Sequence, residues 1–190
     1  PHRGLNILVS AFDALCKTYS NIELDVYSSF KIYGWEQRDE PYKELFDFCR
    51  DHPNINYHGS VPNSEIRSAL QRANFYAYPN TWLETSCISL IEAMSAGVFC
   101  IHPNYGALYE TAANWTWMYQ WQENERDHMK ALVELTSNAI EVYNETDVQK
   151  TLVAQKAYVD AFYGWHNRKH QWVNLMRVML KDLRRIDYNG

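Results

Sequence analysis

Residues 75–101 read FYAYPNTWLETSCISLIEAMSAGVFCI, and this stretch decides the fold. Phe75 to Tyr78 is a short aromatic and apolar run ended by Pro79, which is typical of a β-strand. Residues 87–96 carry apolar side chains at helical spacing and stop before a glycine, so they predict a helix. Val98 to Ile101 predicts a second strand. A strand, a helix and another strand in this order predict a parallel β-α-β unit.

The rest of the chain repeats this alternation of helices and strands. Before residue 75, we predict helices over about 4–19, from Tyr42 to Cys49 and from Asn63 or Ser64 to Ala73, and strands at Leu24–Tyr27 and Ile55–His58. After residue 101, we predict a short helix at Ala107–Ala113, an edge strand at 117–119 and helices from about 124 almost to the end. The pattern predicts an α/β fold, a Rossmann-like parallel sheet with helices on both faces. Ligands of such sheets bind at the carboxyl ends of the strands, here the loops after Tyr27, His58, Tyr78 and Ile101.

Composition excludes several classes of protein. The 190 residues suffice for one α/β domain, and a net charge of −5 argues against general nucleic-acid binding. There is no run of about 18 apolar residues, so we expect no membrane span. The opening residues form no signal peptide and run directly into a helix, so we expect a fragment of a longer protein. The four widely spaced cysteines predict reduced thiols and a cytoplasmic location, at a membrane surface only through parts outside this chain.

Glu84 and Glu92 are the candidate functional carboxylates. Glu92 lies in a predicted helix that is apolar nearly all round, where a carboxylate without a partner costs several kcal/mol. Glu84 precedes that helix, where an acidic residue often serves only as a favourable charge at the helix start. If the whole segment were helical, the two would lie roughly 12 Å apart along the axis, a span comparable with a nucleoside diphosphate sugar. On spacing alone, a helix cap and a structural ion pair remain the alternative.

Four motifs follow one another along the chain: Ile55-Asn-Tyr-His-Gly59-Ser-Val61, Tyr78-Pro-Asn80, Glu84-x7-Glu92-Ala-Met-x-Ala-Gly97 and Gly106-Ala-Leu-Tyr-Glu110. Each is weak alone. The ordered series resembles the C-terminal, donor-binding domain of GT-B glycosyltransferases of the retaining family 4 type, the glycosyl transferases group 1. The resemblance, which runs from Arg3 through Trp172, implies a Rossmann-like nucleotide-sugar-binding domain at 1–163 whose first strand precedes Pro1. It also implies a C-terminal helix at 164–190 that packs on the domain or crosses to an N-terminal domain outside this chain.

The resemblance implies a role for each matching residue. Glu84, the catalytic candidate, would lie near the donor hexose and help position it, and Glu92 would accept hydrogen bonds from the ribose hydroxyls. The other implied donor contacts are a phosphate contact at Arg3, backbone amides facing the diphosphate at Cys87, Ile88 and Ser89, a nucleobase loop at Gly59 and Val61, and a sugar and phosphate loop at Gly106 and Ala107. Many relatives have Phe-Gly where this chain has Ser86-Cys87, and the larger Cys87 narrows the approach to the diphosphate.

The implied activity is transfer of a sugar from a nucleoside diphosphate sugar to a glycan, lipid or protein acceptor, with retention of anomeric configuration. The resemblance implies no metal and no other cofactor, and the sequence has no Asp-x-Asp element. Two alternatives stay open: a module that binds a nucleotide sugar without transferring it, and a nucleotide-sugar epimerase of the same architecture. A Rossmann dehydrogenase is disfavoured because its G-x-G-x-x-G turn is missing.

Other side chains near the predicted loops have two interpretations each. His102 follows a strand and could line the site, but a hydrogen-bonded structural histidine is the more common arrangement. Trp82 and Tyr105 fit either an aromatic wall against a sugar or ordinary packing. Arg3 fits either the phosphate contact or an ordinary solvated charge.

Overall fold

The computed structural model describes the backbone of residues 1–186 and side chains through residue 181. The helices are α1 (Leu5–Cys16), α2 (Lys43–Asp51), α3 (Asn63–Leu70), α4 (Ile88–Ser95), α5 (Leu108–Ala112), α6 (Glu125–Val142), α7 (Thr146–Tyr163) and α8 (Trp165–Ile186). The strands are β1 (Leu24–Val26), β2 (Ile55–Tyr57), β3 (Phe75–Ala77), β4 (Phe99–Asn104) and β5 (Trp117–Gln120). The predicted order of helices and strands is therefore confirmed, and α1 ends earlier than the periodicity suggests.

The strands are parallel but form two sheets. β1 pairs with β2, with Leu24 opposite Ile55, and β4 lies between β3 and β5. The sequence predicts one continuous sheet, whereas none of the pairings within residues 1–186 joins β1 or β2 to the other three strands. α1 connects the two sheets, because Val9 and Phe12 pack with the first and Ala11 packs with the second.

Helices cover both faces of the three-stranded sheet, as predicted. Successive residues of β4 point to opposite faces. Cys100 belongs to the same apolar cluster as Leu90 of α4, Leu108 of α5 and Val159 of α7. Ile101 lies in a different cluster with residues of α1 and α6. The central strand is thus enclosed, which is typical of parallel sheets and leaves the loops at its ends as the exposed parts.

A buried amide ties α7 to this core. Gln155 is fully buried, and its side-chain nitrogen donates to the carbonyl oxygens of Val98 (3.0 Å) and Met94 (3.4 Å) at the turn between α4 and β4. α7, which contains Gln155, is therefore part of the domain.

The loop predicted around Gly34 contains two 3₁₀ helices, Phe30–Tyr33 and Glu36–Tyr42. Asp39 joins them, because its carboxylate accepts a hydrogen bond from the backbone amide of Phe30 (2.9 Å). The sequence pattern did not predict these turns, since 3₁₀ segments are short and their contacts here span nine residues. They follow β1 and so lie at the ligand edge of the first sheet.

α8 extends from the domain after Gly164. Residues 169–181 are exposed, including a row of large apolar side chains that contains Trp172, Met176 and Met179. Residues 187–190, which the sequence assigns to the same C-terminal helix, lie outside the described part of the chain. Across residues 1–186, no helix combines the length and apolar composition that crossing a membrane requires.

Candidate functional site

The first residues of the chain lie against the loop that follows β3. Gly4 has a left-handed backbone (φ 99°), and a Cβ atom there would lie 2.0 Å from the carbonyl oxygen of Pro79. The hydroxyl of Thr81 donates to the carbonyl oxygen of His2 (3.2 Å). Because only glycine allows this approach, the Arg3-Gly4 pair places Arg3 beside the loop that carries Glu84.

Glu84 is buried in this loop, and one of its carboxylate oxygens has two partners. The guanidinium Nη1 of Arg3 lies 2.6 Å from Oε1, and the Tyr78 hydroxyl donates to the same oxygen at 2.7 Å. The Glu84 side chain is 7% exposed and that of Arg3 is 40% exposed, so the carboxylate is on the inner side of the pair. Burial, with the hydrogen bond to Glu84, raises the pKa of Tyr78 far above its usual value and keeps the phenol protonated as a donor.

These contacts decide between the interpretations of Glu84 and Arg3 that the residues alone left open. Arg3 is not an ordinary solvated charge, because it forms an ion pair with Glu84, whereas the ion pair left open by the spacing was expected at Glu92, inside the helix. The helix-cap interpretation of Glu84 is wrong, since α4 begins at Ile88 with Cys87 as its N-cap. The segment between the two glutamates is therefore only partly helical, and the 12 Å spacing expected for a continuous helix (roughly 1.5 Å per residue) does not apply.

The loop at Gly106 and Ala107 holds the backbone of Glu84. The amide of Ala107 donates to the carbonyl oxygen of Glu84 at 2.8 Å. Gly106 has a φ of 59°, and a Cβ atom there would lie 2.8 Å from the amide nitrogen of Glu84. Four of the predicted site residues, Arg3, Glu84, Gly106 and Ala107, are thus brought together by direct contact or close packing.

Tyr78 and Asn80 belong to this arrangement, although the sequence did not single out their side chains. Asn80 is fully buried, accepts a hydrogen bond from the amide of Trp82 (3.0 Å) and donates to its carbonyl oxygen (2.5 Å). An asparagine that bonds the backbone two residues on is a known turn former, so the Pro79-Asn80 pair carried a signal for this turn. Nothing local in the sequence indicated that the Tyr78 hydroxyl reaches Glu84.

The predicted diphosphate contacts lie at the start of α4, where Cys87 is the N-cap. Ile88 and Ser89 lie in its first turn, where amides have no acceptor within the helix, and both residues are exposed. Cys87 is 3% exposed and packs in the core cluster, so its side chain points away from the surface that it was expected to narrow. Positive partial charge at a helix start favours an anion, and the three residues whose amides were predicted to face the diphosphate, Cys87, Ile88 and Ser89, lie at this start.

Glu92 is half-buried, which corrects the burial predicted from its apolar neighbours. Leu90, Ala93 and Met94 are the buried residues of α4, and Glu92 lies off that face. Its Oε1 accepts a hydrogen bond from the side-chain nitrogen of Asn63 (3.4 Å) at the start of α3. None of the ion pairs formed by residues 1–181 includes Glu92.

The Asn63 contact places Glu92 near the predicted nucleobase loop. Gly59 and Val61 lie in the segment between β2 and α3, and Gly59 has a left-handed backbone (φ 66°). Glu92 and this loop are therefore one group of site residues, while Glu84 and its partners form another at the opposite end of the segment that leads into α4.

Three side chains at the ends of β1 and β2 were missed. Nε2 of His58 lies 2.7 Å from Oδ1 of Asp25, and the His58 ring stacks on Tyr27 with ring centroids 4.5 Å apart. The parallel register, which sets Val26 opposite Tyr57, brings these neighbours together. That register could have revealed the group from the sequence, but only to a reader who already knew that β1 pairs with β2.

His102 is a structural histidine, as the more common arrangement predicts. It is fully buried, with Nδ1 3.0 Å from the carbonyl oxygen of Pro103 and Nε2 2.7 Å from the Thr116 hydroxyl. Because a carbonyl oxygen only accepts, Nδ1 carries the hydrogen and Nε2 accepts from Thr116. Burial lowers the pKa of His102 to about 4, so the ring is neutral near pH 7.

The two aromatic candidates pack against different neighbours. Trp82 is half exposed and meets His2 edge to face with ring centroids 5.5 Å apart, whereas Tyr105 stacks on Trp121 at 4.5 Å. Trp82 therefore borders the Arg3 loop, and Tyr105 lies on the side of β5.

Neither Glu84 nor Glu92 lines either of two cavities in the described part of the chain. One cavity of about 200 Å³ lies among Phe99, Trp117 and Gln155, and a larger one of about 490 Å³ lies beside His2 and Trp121. Among the described residues, no three histidine, cysteine, aspartate or glutamate side chains converge as metal ligands would. The loop that carries Glu84 and the loop at Gly106 and Ala107 follow β3 and β4, at the carboxyl ends of these strands.

Parallel strands enclosed by helices, with the candidate residues on the loops at their carboxyl ends, define a Rossmann-like α/β domain. The sequence model of the family described as glycosyl transferases group 1 matches residues 1–145. The chain belongs to this family, and the resemblance expected from its motifs is confirmed. No curated protein matches the chain significantly.

Solved glycosyltransferases share the fold. A glycosyltransferase from Rickettsia africae superposes with a TM-score of 0.76 at 16% identity, covering 95% of this chain and 45% of its own. Sucrose-phosphate synthase from Thermosynechococcus elongatus gives 0.72 at 17% identity, covering 95% and 43%. TarM of S. aureus, a mutant solved with Fondaparinux, alpha-GlcNAc-glycerol and UDP, gives 0.59 at 16% identity, covering 92% and 33%. The chain thus spans less than half of each, and the expected Rossmann-like fold is confirmed.

Proposed function

We propose that this chain is the donor-binding domain of a glycosyltransferase that moves a sugar from a nucleoside diphosphate sugar to an acceptor, with retention of anomeric configuration. The observation that carries the proposal is the Glu84 carboxylate, which is buried at the end of a parallel strand yet held by Arg3 and Tyr78 next to the start of α4. A buried carboxylate with ordered partners beside a helix start suits a ligand that has both hydroxyl groups and phosphates.

Each part of the donor has a candidate contact. Glu84 accepts from a sugar hydroxyl, and the amides of Ile88 and Ser89 with Arg3 bind the diphosphate. Glu92 accepts from the ribose hydroxyls, because it is only half-buried and its one hydrogen-bond partner among the described side chains is Asn63, at the long distance of 3.4 Å. Gly59 and Val61 then adjoin the nucleobase. Leaving-group charge is stabilised by the helix start and Arg3, without an essential metal.

Transfer requires a part of the protein beyond this chain. The chain covers less than half of each solved glycosyltransferase compared with it. We propose that an N-terminal domain supplies the acceptor contacts and that the exposed apolar residues of α8 pack against that domain. The 190-residue chain by itself then binds the donor without transferring the sugar.

Donor binding is testable on the chain itself. We expect one of UDP-glucose, GDP-mannose or ADP-glucose to raise the melting temperature, with affinity then measured by calorimetry. Glu92→Ala should weaken binding of that nucleotide by about 1.5–3 kcal/mol per lost hydrogen bond to the carboxylate. Glu141→Ala, which removes an exposed carboxylate on α6, is the matched control and should change nothing. An unchanged titration for Glu92→Ala would remove Glu92 from the site.

A further inference from the structure

The two oxygens of the Glu84 carboxylate are in different situations. Oε1 takes both the Arg3 guanidinium (2.6 Å) and the Tyr78 hydroxyl (2.7 Å). Oε2 accepts a hydrogen bond from no described side chain or amide. It is also not one of the unpartnered polar atoms that the described residues close off from solvent. The carboxylate is therefore anchored through one oxygen and presents the other to the surface.

Arg3 has two possible binding partners, Glu84 and the donor diphosphate. In the structure its guanidinium pairs with Glu84, and under the proposed function it also binds the donor diphosphate. A phosphate that draws Arg3 away removes one of the two donors to a carboxylate that is 7% exposed. A buried charge that loses its partners is costly, so the remaining donor decides whether Glu84 keeps its place.

We infer that Tyr78 is a positioning residue that keeps Oε2 of Glu84 directed at the donor sugar when Arg3 engages the diphosphate. This inference rests on the proposed function and deepens it. Tyr78 acts through Glu84 and does not touch the donor.

Tyr78 is well placed for this role because its own position is fixed. Its backbone amide donates to the carbonyl oxygen of Ile101 at 2.9 Å, which extends the β3–β4 pairing. Its ring packs against the core cluster around α4 and meets Tyr76 with ring centroids 5.9 Å apart. Arg3, by contrast, is 40% exposed. Of the two donors, the phenol is the one held by the sheet.

The test separates the sugar's share of binding from the nucleotide's. Calorimetry measures two dissociation constants, one for the nucleoside diphosphate and one for the nucleotide sugar, and the quantity of interest is the first divided by the second. The probes are UDP and UDP-glucose, GDP and GDP-mannose, and ADP and ADP-glucose. Tyr78→Phe should lower this ratio by about three- to tenfold, the size of one typical net hydrogen bond, because the phenol acts on the sugar only through Glu84. Tyr119→Phe is the matched control, because it removes a buried phenol whose partner is His128 (2.7 Å), away from the site.

A second variant shows whether Tyr78 works through Glu84. Glu84→Gln should lower the same ratio, and adding Tyr78→Phe to Glu84→Gln should lower it no further. A Tyr78→Phe ratio equal to that of the unaltered chain would overturn the inference and leave the donor site standing. A further drop in the double variant would also overturn it, because Tyr78 would then touch the ligand. If the unaltered chain binds none of the six probes, the proposed function fails and the inference falls with it.

Discussion

At the scale of single residues, Glu84 and Glu92 exchange the environments that their neighbours in the sequence predict. Glu92 has apolar neighbours, yet the buried positions of α4 are Leu90, Ala93 and Met94. Those positions share one face at spacings of three and four residues, and Glu92 falls between them. Ile88, in the same apolar stretch, is 71% exposed. Apolar composition therefore predicted a buried helix correctly and the exposure of its one acid wrongly.

His102 makes acid stability a residue-scale prediction. Its pKa is about 4 in the fold and 6.5 when unperturbed, so between these values only the unfolded chain holds the proton. The stability from the neutral ring is complete above about pH 6.5 and is lost as the pH falls toward 4. Urea unfolding should show a free energy about 2–3 kcal/mol lower at pH 4.5 than at pH 7 from this group.

His102→Gln tests this assignment, because it removes the titrating ring from the core. The variant should flatten the profile between pH 7 and pH 4.5, whereas His166→Gln, at an exposed histidine on α8, should leave it unchanged. Parallel profiles for the unaltered chain and His102→Gln would show that other groups cause the loss.

At the scale of elements, the site depends on loops that glycine allows to approach one another. Gly106 lies against the backbone of Glu84, and Gly4 lies against Pro79. The first contact sets where Glu84 sits, and the second brings Arg3 to it. The strands and helices supply fixed ends for these loops, but close backbone approach joins the loops into one site.

Gly106→Ala and Gly97→Ala form a matched pair. Both glycines have left-handed backbones (φ 59° and 78°), so alanine strains each by roughly 1–2 kcal/mol. A Cβ atom at Gly106 would also lie 2.8 Å from the Glu84 nitrogen, whereas at Gly97 it meets no atom within 4 Å. Gly106→Ala should therefore destabilise the chain more and weaken nucleotide-sugar binding, while Gly97→Ala affects stability alone. Equal losses of stability and unaltered binding in both variants would contradict this view of the loop.

At the scale of the whole molecule, α8 is a long helix that is exposed from residue 169 to residue 181. Its first turn contacts the end of α7, where Arg168 lies over the ring of Phe162 at 4.7 Å and Asn167 donates to the Ala161 carbonyl (2.6 Å). The side chains from Gln171 to Lys181 are exposed. A contiguous apolar row of this kind marks an interaction surface, which agrees with the proposed contact to another domain.

A chain that ends at His170 tests where α8 belongs. The change removes residues 171–190, and because residues 171–181 are exposed we expect the free energy of unfolding to change by less than about 0.5 kcal/mol, as for other surface changes. Denaturant unfolding of both chains measures this directly. A loss of several kcal/mol would show instead that the helix packs on this domain.

The sequence by itself determined the order of helices and strands, the fold class and the family. Those features depend on periodicity, turn residues and short motifs, which are local along the chain. Only the tertiary structure decided which charges meet: Arg3 and Tyr78 reach the same oxygen of Glu84 from positions 81 and 6 residues away. It also decided that the described strands form two sheets and that Glu92 is accessible. The reason is physical: packing between segments that are distant in the sequence sets side-chain partners and strand neighbours. Local sequence patterns do not specify which distant segments meet.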